Sequence, residues 1–115
     1  MQLTYTFTFD AAHHLTQYHG KCERVHGHTY TLEVAVSGAV QKDGMLMDFA
    51  LLKTIVQDEI LSKLDHQDLN TIFKNPTAEH IAQWIFAKLK PIKKLAAAKV
   101  NSKEYREGLQ KYFEE

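Results

Sequence analysis

Alternation opens this chain. In "LTYTFTF" aromatic and aliphatic residues take turns with threonine, a period-two pattern that predicts a strand from about Gln2 to Phe9. "HTYTLEVAVSG" repeats the pattern and predicts a second strand from His28 to Ser37, with Gly38 to Gly44 as a connection. The period then lengthens. Phe49, Leu52, Ile55, Val56, Ile60 and Leu64 recur every three to four residues, the stripe of an amphipathic helix, and Asp48 stands at its N-cap position. A second helix reads from "NPTAEHIAQWIFAKLKP", with Thr77 as N-cap, Ile81, Trp84, Ile85 and Leu89 as the apolar stripe, and Pro91 as the stop. The tail "LAAAKVNSKEYREGLQKYFEE" favours helix by propensity, although Gly108 interrupts it. Two strands do not carry a stable sheet. The class is therefore α+β, with the missing strands drawn from the tail or from other subunits.

Length and composition narrow the setting. The 115 residues suit one domain spanning 1–115. Basic and acidic side chains balance at 14 each, and no basic stripe interrupts them, so a nucleic-acid partner is not expected. No apolar run is long enough to span a bilayer, and the first ten residues lack the charge and apolar core of a signal peptide. The single cysteine, Cys22, excludes an internal disulfide, and a reducing cytoplasmic location is the expectation. Of the seven histidines, five fall between His13 and His28.

That cluster carries the chemistry. In "CERVHGH" His26 and His28 lie two apart at the mouth of a strand, so both imidazoles share one face and offer a two-point grip on a metal. His13 and His14 follow the first strand and are the candidate third ligands; His14 points away from His13 if that strand continues. Three histidines with an open fourth position describe a catalytic zinc. H-x-H pairs alone are mostly surface or packing residues, and it is the third histidine and the nearby cysteine that favour metal here. Cys22 has three readings: fourth ligand, nucleophile or base, or small buried hydrophobe. Lys21 and Arg24 beside it favour a thiolate. In "LDHQDLN" Asp65 precedes His66, and a carboxylate beside an imidazole can fix its tautomer and raise its basicity. The plain alternative is a polar helix end. His19 and His80 receive no role.

Taken together, "FDAAHHL", C-x3-H-G-H, "MDF", "LDHQDLN" and "NPTAEHIAQWI" stand in the order and spacing of one family. From residue 3 to about 90 the chain resembles the 6-pyruvoyl-tetrahydropterin synthase superfamily. The resemblance implies a tunnelling fold: an antiparallel four-stranded sheet with two helices on one face, closed into a barrel by trimerisation and paired as a homo-hexamer. It implies one zinc per chain on His13, His26 and His28, Cys22 as catalytic proton acceptor, and Asp65 with His66 as its relay. Three residues between the cysteine and H-G-H resemble the bacterial 6-carboxy-tetrahydropterin synthases of queuosine biosynthesis. The implied reaction converts 7,8-dihydroneopterin triphosphate to 6-carboxy-5,6,7,8-tetrahydropterin, releasing acetaldehyde and triphosphate. A pyruvoyl-type synthase and a non-catalytic zinc-binding oligomer are the alternatives.

The tail departs from the family pattern. The expected "V-x-E-T" is absent, but a gap-free alignment sets "AKVNSKE" on the family's third strand and Tyr112 on a later tyrosine, with Tyr105 replacing the usual threonine. On that reading 97–104 is a strand, Tyr112 lies on its hairpin partner, and Glu104 anchors the pterin edge. Thr77 and Glu79 are assigned to the same substrate pocket, although a first-turn glutamate is equally explained by the helix dipole.

Overall fold

The computed structural model describes residues 1–14, 26–104 and 112–113; for His26, Ser102 to Glu104, Tyr112 and Phe113 it describes the backbone alone. Strand β1 (Gln2–His13) pairs antiparallel with β2 (His26–Ser37) over its whole length, from Gln2↔Ser37 to His13↔His26. On the far side of β2 lies β4 (Leu95–Glu104), antiparallel, and beyond it β5 (Tyr112–Phe113). These are the four antiparallel strands anticipated above. A two-residue strand, β3 (Gln67–Asp68), adds a parallel pairing on β1 and gives the sheet order β3-β1-β2-β4-β5.

β1 runs four residues past the end that alternation predicts, to His13 instead of Phe9. "DAAH" has no alternating signal of its own; it becomes strand because β2 pairs with it on one side and β3 on the other. The tail likewise overrides its helical propensity, since β2 pairs with it from Leu95 to Glu104, with one irregularity at Ala96, and Val100 is fully buried against the core.

Alternation then sorts the two faces of the sheet. Phe9, Ala11, Tyr30, Leu32, Val34, Val36 and Val100 face the helices and are buried. The threonines at 4, 6, 8, 29 and 31 keep the other face polar. Helix α1 starts at Phe49, where the Asp48 carboxylate accepts from the Ala50 amide at 2.9 Å. It runs as α-helix to Val56, as a π-helical turn over Gln57–Leu61, and as a last α turn over Ser62–Leu64. The spacing of the core residues accounts for that turn. Leu52, Val56, Ile60 and Leu64 are each four apart, which in an α-helix advances about 40° too far per step. A wider π turn takes back the drift, and all four are 0% exposed. Helix α2 (Ala78–Lys88) is capped by Thr77, whose hydroxyl accepts from the His80 amide at 3.1 Å. Ile81 and Ile85, with Leu89 just beyond the helix, cover the same face of the sheet.

Candidate active site

The β1–β2 register sets position 26 opposite His13, with His28 two residues further along β2 opposite Ala11. Cross-strand partners lie on the same side of the pleat, so all three histidine positions share the helix-covered face at one end of the sheet. The imidazoles of His13 and His28 are both buried, 6% and 0% exposed, and meet edge to face with centroids 4.3 Å apart. Below them lies Tyr30, its ring 5.6 Å from His28. Burial pushes its phenol far above the ordinary range, so it stays neutral.

One contact bears directly on metal binding. His13 Nδ1 lies 3.0 Å from the carbonyl oxygen of Pro76, the residue just before the cap of α2. A carbonyl only accepts, so Nδ1 carries the proton and Nε2 keeps its lone pair. An outer-shell carbonyl of this kind orients a histidine for coordination. The Tyr30 hydroxyl oxygen, also 3.0 Å from Nδ1, is a second acceptor for the same N–H. Two buried imidazoles, one with its tautomer set for ligation, fit a zinc ion better than they fit protonation. Among the described residues no three His, Cys, Asp or Glu side chains form a metal-holding group; the His26 side chain, Cys22 and His19 lie outside them.

The second cluster hangs on β1. After α1 ends, Asp65 is extended and His66 takes a left-handed backbone with φ 59°, a conformation that costs a non-glycine residue about 1–3 kcal/mol. Asp10 holds both: its amide donates to Asp65 Oδ1 at 3.0 Å, and its carbonyl accepts from the His66 amide at 2.6 Å. Asp65 Oδ1 is also 3.0 Å from His66 Nδ1. The carboxylate accepts from the Nδ1–H and so orients the ring, and the His66 side chain is 78% exposed in the single chain. Position 104 stands opposite His28 in the β2–β4 register, which brings a carboxylate-bearing residue to the strand beside the histidines.

Residues 2–115 match the family model for 6-pyruvoyl tetrahydropterin synthase. This chain belongs to that family. A dihydroneopterin monophosphate aldolase of Pyrococcus furiosus is 44% identical over 77% of this chain and 75% of its own length. A 6-carboxy-5,6,7,8-tetrahydropterin synthase of Synechocystis is 43% identical over 72% of this chain and 70% of that one. The 6-pyruvoyl tetrahydropterin synthase of Caenorhabditis elegans superposes with a TM-score of 0.76 at 28% identity, covering 100% of this chain and 95% of that structure. The family is one of lyases, and its tunnelling fold is the fold described above.

Other positions of this family member divide clearly. His14 is turned to Asn70 and takes no part in the His13–His28 contact. The His80 ring is bound locally to the Asn75 carbonyl at 2.7 Å. Thr77 Oγ1 caps α2, and Glu79 is exposed in its first turn. Tyr30, Pro76, Asp10 and Asn70 were not foreseen as site residues. Period two from His28 points to Tyr30; a main-chain carbonyl such as that of Pro76 leaves no mark in the sequence. Among the described residues no helix is long and apolar enough to cross a membrane.

Proposed function

We propose that this protein is a zinc-dependent lyase that converts 7,8-dihydroneopterin triphosphate and one water to 6-carboxy-5,6,7,8-tetrahydropterin, acetaldehyde and triphosphate, a step of queuosine biosynthesis in the cytoplasm. The observation that carries the reading is the buried His13–His28 pair with its Pro76 carbonyl, set at the strand end that position 26 shares. The zinc would be held by His13, His26 and His28, and when bound it supplies Lewis acidity toward the side-chain hydroxyls of the substrate. Cys22 accepts a proton from the side chain, and His66, oriented by Asp65, moves a proton on the other side of the same carbons. Glu104 accepts hydrogen bonds from the 2-amino group and ring N–H of the pterin. Thr77 and Glu79, at the start of α2, flank that pocket. A homo-hexamer, a dimer of trimers, is supported by the edge of β1: among the described residues the strand pairing of Gln2 to Phe9 is with β2, which leaves one side for another copy.

The test is incubation with dihydroneopterin triphosphate and, separately, with the monophosphate, followed by mass spectrometry. Acetaldehyde with 6-carboxytetrahydropterin supports the proposal. Retention of the side-chain carbons in a pyruvoyl product would instead make it a pyruvoyl-type synthase. A two-carbon phosphorylated aldehyde released from the monophosphate would make it an aldolase, the activity named for the Pyrococcus furiosus relative. No turnover of either leaves a zinc-binding oligomer.

Glu104→Gln is expected to raise the Kd for pterin about 10–100-fold, the loss of one hydrogen bond to a charged group. Zinc content should not change. Fluorescence titration with a dihydropterin reads the first quantity and elemental analysis the second; unchanged pterin affinity would remove Glu104 from the pocket.

A further inference from the structure

The stretch Asp65 to Asn70 follows β1 rung by rung. Asp65 and His66 are bound to the two backbone groups of Asp10. Gln67 and Asp68 then pair in parallel with Ala11 and Ala12. There the ladder ends, because the chain turns away into a 3-10 turn over Leu69–Thr71. The next strand residue to need a partner on this side is His14, immediately after His13. Asn70 supplies it with a side chain: Oδ1 accepts from the His14 amide at 2.9 Å, and Nδ2 donates to the His14 carbonyl at 3.0 Å. A carboxamide has the donor and acceptor of a peptide group, so Asn70 adds one rung beyond the end of the backbone ladder. The residue is itself held in place. Its amide donates to Asp68 Oδ1 at 3.0 Å, and the preceding Leu69 is fully buried.

We propose that Asn70 is a positioning residue: by closing the last rung on His14 it locks the end of β1 that carries His13, and ties that ligand to the loop that holds Asp65 and His66. The proposal rests on the zinc reading above. His13 contributes one ring to a site that must be held to within about 0.5 Å, and fraying of β1 by one residue would release it. The Pro76 contact orients the ring, whereas Asn70 holds the backbone of the next residue, His14.

Cobalt(II) titration of the metal-free full chain, with visible spectra and chelator competition, tests this. Asn70→Ala is expected to bind cobalt 10–100-fold more weakly, in the range of other outer-shell losses, with an altered d–d spectrum. The gain in Tm on adding metal should shrink in step, because that gain follows affinity. Asn70→Asp keeps the shape and the acceptor for the His14 amide but turns a carboxylate oxygen toward the His14 carbonyl. It is expected to shift affinity and spectrum in the same direction, and it serves if the alanine variant does not fold. A cobalt Kd within twofold of wild type and a superimposable spectrum, with Tm lowered equally in the free and loaded proteins, would show a structural role only and overturn the proposal. Failure of wild type to bind cobalt would remove the zinc reading and this inference with it, and is seen before any variant is measured.

Discussion

His28→Ala protein is expected to purify without zinc and without measurable turnover. His28 is wholly buried, its ring set edge-on against His13 and walled by Tyr30, so no other side chain or solvent molecule easily takes its place. Loss of a ligand should weaken zinc by more than the 10–100-fold typical of losing an outer-shell partner. The truncation also opens a space in the core, and some loss of Tm in the metal-free protein is expected. Elemental analysis of folded protein therefore needs a control. His80→Ala is suitable, because the His80 side chain is exposed and its ring contacts the Asn75 carbonyl oxygen, away from the histidine pair. That variant should keep one zinc per chain. Full zinc occupancy in His28→Ala would refute the ligand set.

The placement of the three histidine positions was legible because it follows from one periodicity and one strand pairing. Period two puts positions 26 and 28 on one face, and the pairing of β1 with β2 brings His13 opposite position 26. The caps were legible for the same local reason: Asp48 and Thr77 bond to amides two and three residues ahead, within reach of any sequence window. What was not legible depends on partners distant in the chain. Asp10 to His13 are strand because residues 67–68 and 26–29 pair with them, and nothing in "DAAH" itself says so. "LAAAKV" scores as helix until β2 offers it a ladder. The tautomer of His13 is decided by a carbonyl 63 residues away, and that of His66 by a carboxylate which β1 holds. Even the π turn is a compromise between helix pitch and a four-residue spacing that only the sheet face enforces.

Replacing Cys22 with alanine is expected to lower kcat by about 10²–10⁴-fold, the usual worth of a positioned acid–base group, while zinc remains at one per chain. The basis is electrostatic and sequential. Lys21 and Arg24 stand one and two residues from Cys22 in the sequence, and cations close to a cysteine favour its thiolate. Its placement lies outside the described residues, but the chain that carries it leaves β1 after His13 and re-enters the sheet at His26, and these two positions are paired. Cys22→Ser should not restore activity, because a hydroxyl at this position is far harder to ionise than a thiol. His66→Ala should fall to a similar level, since the Asp65-held imidazole is the proposed second proton carrier. If the two act as one relay, the double variant will be scarcely slower than the worse single one, a non-additivity that independent contributions would not produce. Simple multiplication of the two losses would separate Cys22 and His66 into unconnected steps. Loss of zinc along with activity in Cys22→Ala would make the cysteine a fourth ligand, and retained activity would leave it no chemical part at all.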